Sequence, residues 1–190
     1  AARAGFDQIQ FDYLRFPDSV QVAVPAPNTE ASRTAAINDF LDAARKRLAP
    51  YNVFLAADVF GYICWNVDDT KIGQKLEQVL PRVDYLSPML YPSGFQFGIP
   101  GDRDPVKNVY EIVKRSLDRV KVRTEISPLR LQPWLQAFKD YAFDGRAFGA
   151  TEVKDQVRAA EDFGSGGWLL WNPRNVYSDP GLEPEKTAAW

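Results

Sequence analysis

Two aspartates are placed where they could do chemistry together. Asp12 closes the strand-like run 6–11 (FDQIQF) and is followed at once by Tyr13 and Arg15, while Asp58 lies near the end of a second run, 53–59 (VFLAADV). Carboxylates at the ends of sequential strands are expected to be neighbours. Adjacent strands lie about 4.8 Å apart, so two such acids can face one cleft. A pair of carboxyl groups on the order of 5–9.5 Å apart is what acid-base cleavage of a glycosidic bond requires.

The rest of the composition narrows the chemistry further. The 190 residues contain no histidine and one cysteine, Cys64. Ser-His-Asp hydrolysis, Cys-His nucleophiles and histidine-ligated zinc are therefore excluded, as are an internal disulfide and a thiolate cluster. What remains is chemistry on carboxylates, tyrosines, lysines or a carboxylate-bound metal. Asp12 and Asp58 alone supply too few ligands for a divalent ion, so neither a metal nor a cofactor is expected.

Residues at the other strand ends suit a sugar. Tyr91 and Trp171, with Trp134 and Trp65 as further candidates, offer aromatic faces, and Gln136 and Asn172 carry both donors and acceptors for hydroxyl groups. Tyr13 belongs to the same set. Arg15 is placed to keep Asp12 ionised, since a nearby cation lowers a carboxyl pKa, and burial beside Asp12 should raise that of Asp58. Each residue also has a structural role open to it. Asp12 could cap the following loop, the tryptophans could be core, and Asp68 and Asp69 read as acids at a helix start, where the helix dipole favours them.

Lys plus Arg number 23 and Asp plus Glu 25, a net charge of −2 without a basic stripe, so no nucleic-acid partner is expected. No apolar run reaches 18 residues, which excludes a membrane-spanning helix, and the first residues do not read as a signal peptide.

The elements that must position these side chains alternate in type. Residues 1–5 read as the last turn of a helix closed by Gly5. Strands are expected at 6–11, 53–59, 83–91, 129–135 and 167–171, with Pro88 and Pro133 weakening the third and fourth. Helices are expected at 32–48, 72–80, 105–120 and 151–163, the first capped by Ser32 and the last by Thr151. Residues 18–30 are too long for a minimal connection and read as a functional loop. Strand–helix alternation without linkers argues one α/β domain over 1–190 with a parallel sheet. A doubly wound sheet and a closed barrel both fit, though no glycine-rich turn of the dinucleotide-binding kind is present.

GFDQIQFDYLRFP (residues 5–17) resembles the signature of a glycoside hydrolase family known as domain of unknown function 4015. The resemblance continues through DYLSPMLYPS (84–93), LQPWLQAF (131–138) and GGWLLWNPRNVY (166–177). It implies a (β/α)8 TIM-type barrel and a polysaccharide substrate. The strands ending near Asp12, Asp58, Tyr91, Gln136 and Trp171 would then be barrel strands four to eight, with Asp12 and Asp58 catalytic. Two positions depart from the family pattern: Gly94 stands where histidine is common, and Ala137 where an acid is frequent.

The resemblance sets three further expectations. A complete barrel runs to about 250 residues, so the first three units are expected from a missing N-terminal half or from a homo-oligomer. A polysaccharide substrate implies an extracellular or secreted setting. A second class of function also fits, a non-catalytic carbohydrate-binding or scaffold module on a degenerate partial barrel.

Overall fold

The computed structural model describes residues 1–17 and 27–177, together with Leu182. Most of the expected functional loop at 18–30 lies outside the described residues. Five strands are seen among those described: β1 (Gln8–Phe11), β2 (Phe54–Phe60), β3 (Tyr85–Met89), β4 (Trp134–Gln136) and β5 (Leu169–Trp171). All pair in parallel in the order β1-β2-β3-β4-β5. Four α-helices lie between them: α1 (Glu30–Leu48), α2 (Leu76–Val79), α3 (Val109–Thr124) and α4 (Ala150–Phe163). The sequential parallel order, with helices on one face, is a curled half of a (β/α)8 barrel.

Alternation along the strands separates two faces. Leu55, Ala57 and Val59 of β2 join the main apolar core with Ile37 and Leu41 of α1 and with Leu86 of β3. Phe11 of β1 packs edge-to-face on Phe40 of α1 at 4.9 Å. Helix α3 contributes Ile112, Val113, Leu117 and Val120, all fully buried. Each such aliphatic side chain contributes about 1.5–3 kcal/mol on burial. The opposite, concave face carries Gln8, Gln10 and Asp58. There the Gln8 amide donates to Gln10 at 3.2 Å and to Gln132, just before β4, at 3.3 Å. β1 and β4 are separated by two strands in the sheet, so this contact measures the curl.

Several expected boundaries shift for identifiable reasons. The helix expected at 72–80 shrinks to a single turn: Gly73 within it takes positive φ (83°), as do Thr70 and Lys71 just before it (55° and 57°). Asp69 holds that turn by accepting the Lys71 and Gly73 N–H groups, and it is paired with Arg33 at 2.6 Å. It is structural as expected, but in a turn and not at a helix start. Helix α1 is capped by Thr29, with Ser32 as the third residue of the capping box. Helix α4 is capped at Gly149, whose N–H donates to Glu152 at 3.0 Å. The expected Thr151 cap is therefore two residues late.

Pro88 lies inside β3. Gln132 N–H reaches Leu86 O at 2.9 Å and Leu90 N–H reaches Trp134 O at 3.0 Å. Between them Pro88 has no N–H to give, and the β3–β4 register narrows to Met89–Trp134. Gly61, directly after β2, is dictated by close approach. A Cβ there would lie 2.5 Å from Met89 O and 2.8 Å from the Phe95 ring.

Candidate active site at the carboxyl rim of the sheet

A cavity of about 310 Å³ opens at the carboxyl ends of the strands, where ligands of parallel α/β folds bind. Asp12, Tyr13, Arg15, Asp58, Tyr91 and Trp171 line it, together with Phe60, Thr70, Ile72, Gln74, Met89 and Trp134. The last registered pair of β1 and β2 is Phe11–Ala57, so Asp12 and Asp58 stand at the next level on adjacent strands.

Asp58 is 4% exposed. Its Oδ1 accepts from the Gln10 amide and, at 2.8 Å, from the Trp134 indole N–H. Among the described residues, no hydrogen bond is made to Oδ2. Burial raises the Asp58 carboxyl to about 6; the Trp134 and Gln10 bonds oppose the shift, and the charge of Asp12 adds to it. A half-neutral carboxyl at near-neutral pH can give a proton or take one.

Asp12 is exposed, and its Oδ1 accepts the Tyr13 N–H at 2.7 Å. The expected partnership with Arg15 is not formed. Among the described residues the two make no salt bridge, and the Arg15 guanidinium reaches the Phe16 carbonyl at 3.4 Å. The cause is local: Tyr13 takes φ 55°, and Arg15 N–H closes back on Tyr13 O at 2.8 Å, turning the chain between the two side chains.

The walls are aromatic. Trp134 and Trp171 meet edge-to-face at 5.8 Å. Tyr91 follows β3, and burial, then the negative charges of Asp58 and Asp12, push its phenol well above the ordinary range, so it remains a hydrogen-bond donor. Gln74, 3% exposed, accepts the Phe60 N–H at 2.8 Å and donates to Leu14 O at 3.0 Å, tying the end of β2 to the chain after β1.

Two expected sugar ligands lie outside the lining. Gln136 is fully buried; its amide accepts the Ser93 N–H and donates to Ser93 Oγ and Phe138 O. Asn172 donates to Ala137 O at 2.6 Å and Val176 O at 2.8 Å, fastening the chain after β5. Trp65 is also elsewhere, bonded to Ser116 of α3 at 2.9 Å. The strand-end reading of the sequence does not include Gln10 or Gln74. Gln10 carried a signal, since it sits two residues before Asp12 and shares its face. Among the described residues no group of three or more acidic or cysteine side chains is arranged to hold a metal ion, and no helix is long and apolar enough to cross a membrane.

The DUF4015 family, described as "Putative glycosyl hydrolase domain", matches residues 1–177. The chain belongs to this family. Solved structures, a glycoside hydrolase domain and a chitinase among them, are similar to this DUF4015 chain in fold. The PgaB (BpsB) glycoside hydrolase domain from Bordetella bronchiseptica matches with a TM-score of 0.56 and 16% identity, over 75% of this chain and 38% of that one. A class V chitinase from Pseudomonas fluorescens Pf-5 matches with a TM-score of 0.57 and 14% identity, over 96% and 65%. The spore cortex-lytic enzyme SleL of Bacillus megaterium matches with a TM-score of 0.55 and 11% identity, over 89% and 46%. The chain thus spans less than two thirds of the length of each of these. Comparison with curated proteins finds no match.

Proposed function

We propose that this DUF4015 chain carries the catalytic rim of a glycoside hydrolase that cleaves a polysaccharide with Asp12 and Asp58. The observation that carries the reading is the state of Asp58: buried, its carboxyl raised to about 6, with Oδ1 fixed by two donors and, among the described residues, no bond to Oδ2, one strand from Asp12. Asp58 is the general acid. Its Oδ2 proton passes to the glycosidic oxygen as the bond from that oxygen to the anomeric carbon breaks. Asp12, as carboxylate, meets the positive charge developing at the anomeric carbon, either by bonding to it or by stabilising it. Water then completes the hydrolysis. Trp134, Trp171, Tyr91 and Tyr13 supply faces and a hydroxyl for the sugar, and Arg15 lies at the cavity wall to hold a polar substituent.

Two further parts belong to this reading. The edges of β1 and β5, unpaired among the described residues, are covered in the working enzyme by other strands of the protein or by a second copy, because an exposed parallel edge invites pairing. A polymeric substrate also places the activity outside the cytoplasm.

The test is release of reducing ends by the full-length protein on a panel of polysaccharides. Asp12→Asn and Asp58→Asn should each abolish it with the circular-dichroism spectrum unchanged. Normal turnover by both variants would refute the assignment. Gly94 and Ala137, standing where the family commonly has a histidine and an acid, favour a second reading as a carbohydrate-binding module. Glycan binding without product release by the unmodified protein would select it.

A further inference from the structure

We infer that Phe138 and Tyr141 form a second sugar platform, which receives a linear glycan as it leaves the cavity past Tyr91. The inference rests on the glycosidase reading and names a part of the substrate that the two acids do not touch. β4 ends at Gln136, and the chain turns directly into this platform. Tyr91 lines the cavity; Phe138 packs edge-to-face on it at 5.4 Å, and Tyr141 stacks on Phe138 at 6.2 Å with only 14° between the ring planes. The three rings form a continuous series from the cavity outward, and the last is 62% exposed.

An exposed tyrosine by itself is unremarkable. This one is held in place by a preorganised loop. Asp140, 4% exposed, accepts from Ser93 Oγ at 2.6 Å and from the N–H groups of Ala142, Phe143 and Gly145 at 2.9–3.1 Å. Its own N–H closes the loop on Arg146 O at 2.9 Å. Ser93 is in turn held by Gln136, so the platform is fixed to the end of the strand beside the cavity. Such order lowers the entropy lost on binding. A flat apolar ring with a hydroxyl at its rim matches the chemistry of a pyranose, apolar on its face and polar at its edge. Gly94 leaves the hydroxyl side open, since a Cβ there would still be 3.8 Å from Tyr141 Oη.

The test uses the full-length protein and a glycan array printed with linear oligosaccharides, each linkage at lengths of about two, four and six sugars. Wild type should bind the longer members more tightly. Tyr141→Ala should remove on the order of two- to tenfold of that gain, leave binding of the shortest member unchanged, and keep turnover of a short substrate. Tyr141→Phe should restore the long-chain affinity. Equal binding by wild type and Tyr141→Ala at every length, with turnover still lost in Asp58→Asn, overturns the platform and leaves the catalytic reading standing. Failure to bind or cleave any oligosaccharide overturns both.

Discussion

Asp12 and Asp58 stand at one level of the sheet, one residue beyond the Phe11–Ala57 pair, on strands that are neighbours in the barrel. Their environments differ sharply all the same. Asp12 is exposed and accepts a backbone N–H, whereas Asp58 is buried and carries two side-chain donors on a single oxygen. Two acids in settings this different can take different roles in one reaction.

The first consequence concerns stability. Burial, assisted by the Asp12 charge, raises the folded-state Asp58 carboxyl to about 6 from an ordinary value of 3.8. The folded state therefore binds this proton more tightly than the unfolded chain does. The resulting stability is fully present below about pH 4 and is lost as pH rises through 6, by up to about 3 kcal/mol. Asp58→Asn keeps an oxygen for Gln10 and Trp134 but cannot ionise. Urea denaturation should find this variant more stable than wild type at pH 8, with the difference shrinking toward zero at pH 4. An equal gain at both pH values would mean that ionisation of Asp58 is not its source.

On the proposed reading, the same group should set the alkaline limb of the reaction. A general acid near 6 must be protonated to act, so activity should fall as pH rises through about 6. The Trp134 N–H favours the ionised form of Asp58. Trp134→Phe removes that donor and should move the alkaline limb to higher pH while lowering the maximal rate through lost packing. A limb that stays in place, or moves down, would separate Asp58 from the observed titration.

Much of this was legible in the sequence, and the remainder fails for local reasons. Apolar runs such as VFLAADV announce strands that a parallel sheet buries on both faces, and position at a strand's end is enough to bring Asp58 and Tyr91 to the rim. Which polar residues face the cavity is harder to read. Gln136 ends its strand and Asn172 follows one, yet their amides are taken up by Ser93 and by backbone carbonyls. Arg15 is three residues from Asp12, but the left-handed Tyr13 turns the chain between them. Thr70, Ile72 and Gln74 reach the cavity only because Asp69 folds their segment into a turn. A helical period cannot announce that.

A buried acid of the opposite kind supports the rim. Burial works against ionisation of Asp140, but the Ser93 hydroxyl and the N–H groups of Gly145, Ala142 and Phe143 outweigh it and hold the carboxyl at about 2. The stability it contributes is present above about pH 4 and is lost as pH falls through 2. Asp140→Asn sets amide hydrogens against backbone donors and should cost about 2 kcal/mol at pH 7. Hydrogen exchange in residues 138–146 should accelerate. Unchanged denaturation at pH 7 would show that this network does not stabilise the fold.

With Asp12 and Asp58 as the proposed catalytic pair, their register also predicts a stereochemical outcome. Inverting enzymes hold their carboxyl groups about 6.5–9.5 Å apart to admit a water between acid and sugar, while retaining enzymes hold them about 5–5.5 Å apart. Residues at one level of adjacent strands are separated by about 4.8 Å at the backbone, and Asp12 and Asp58 have side chains of equal length. That placement fits the closer spacing. Asp12 would then bond to the anomeric carbon, and the second displacement by water would restore the original configuration. Proton NMR of the first product formed, before mutarotation, should therefore show the anomer of the substrate. The opposite anomer would mean that the carboxyl groups diverge above the sheet far enough to admit water, and would make Asp12 the base instead of the nucleophile.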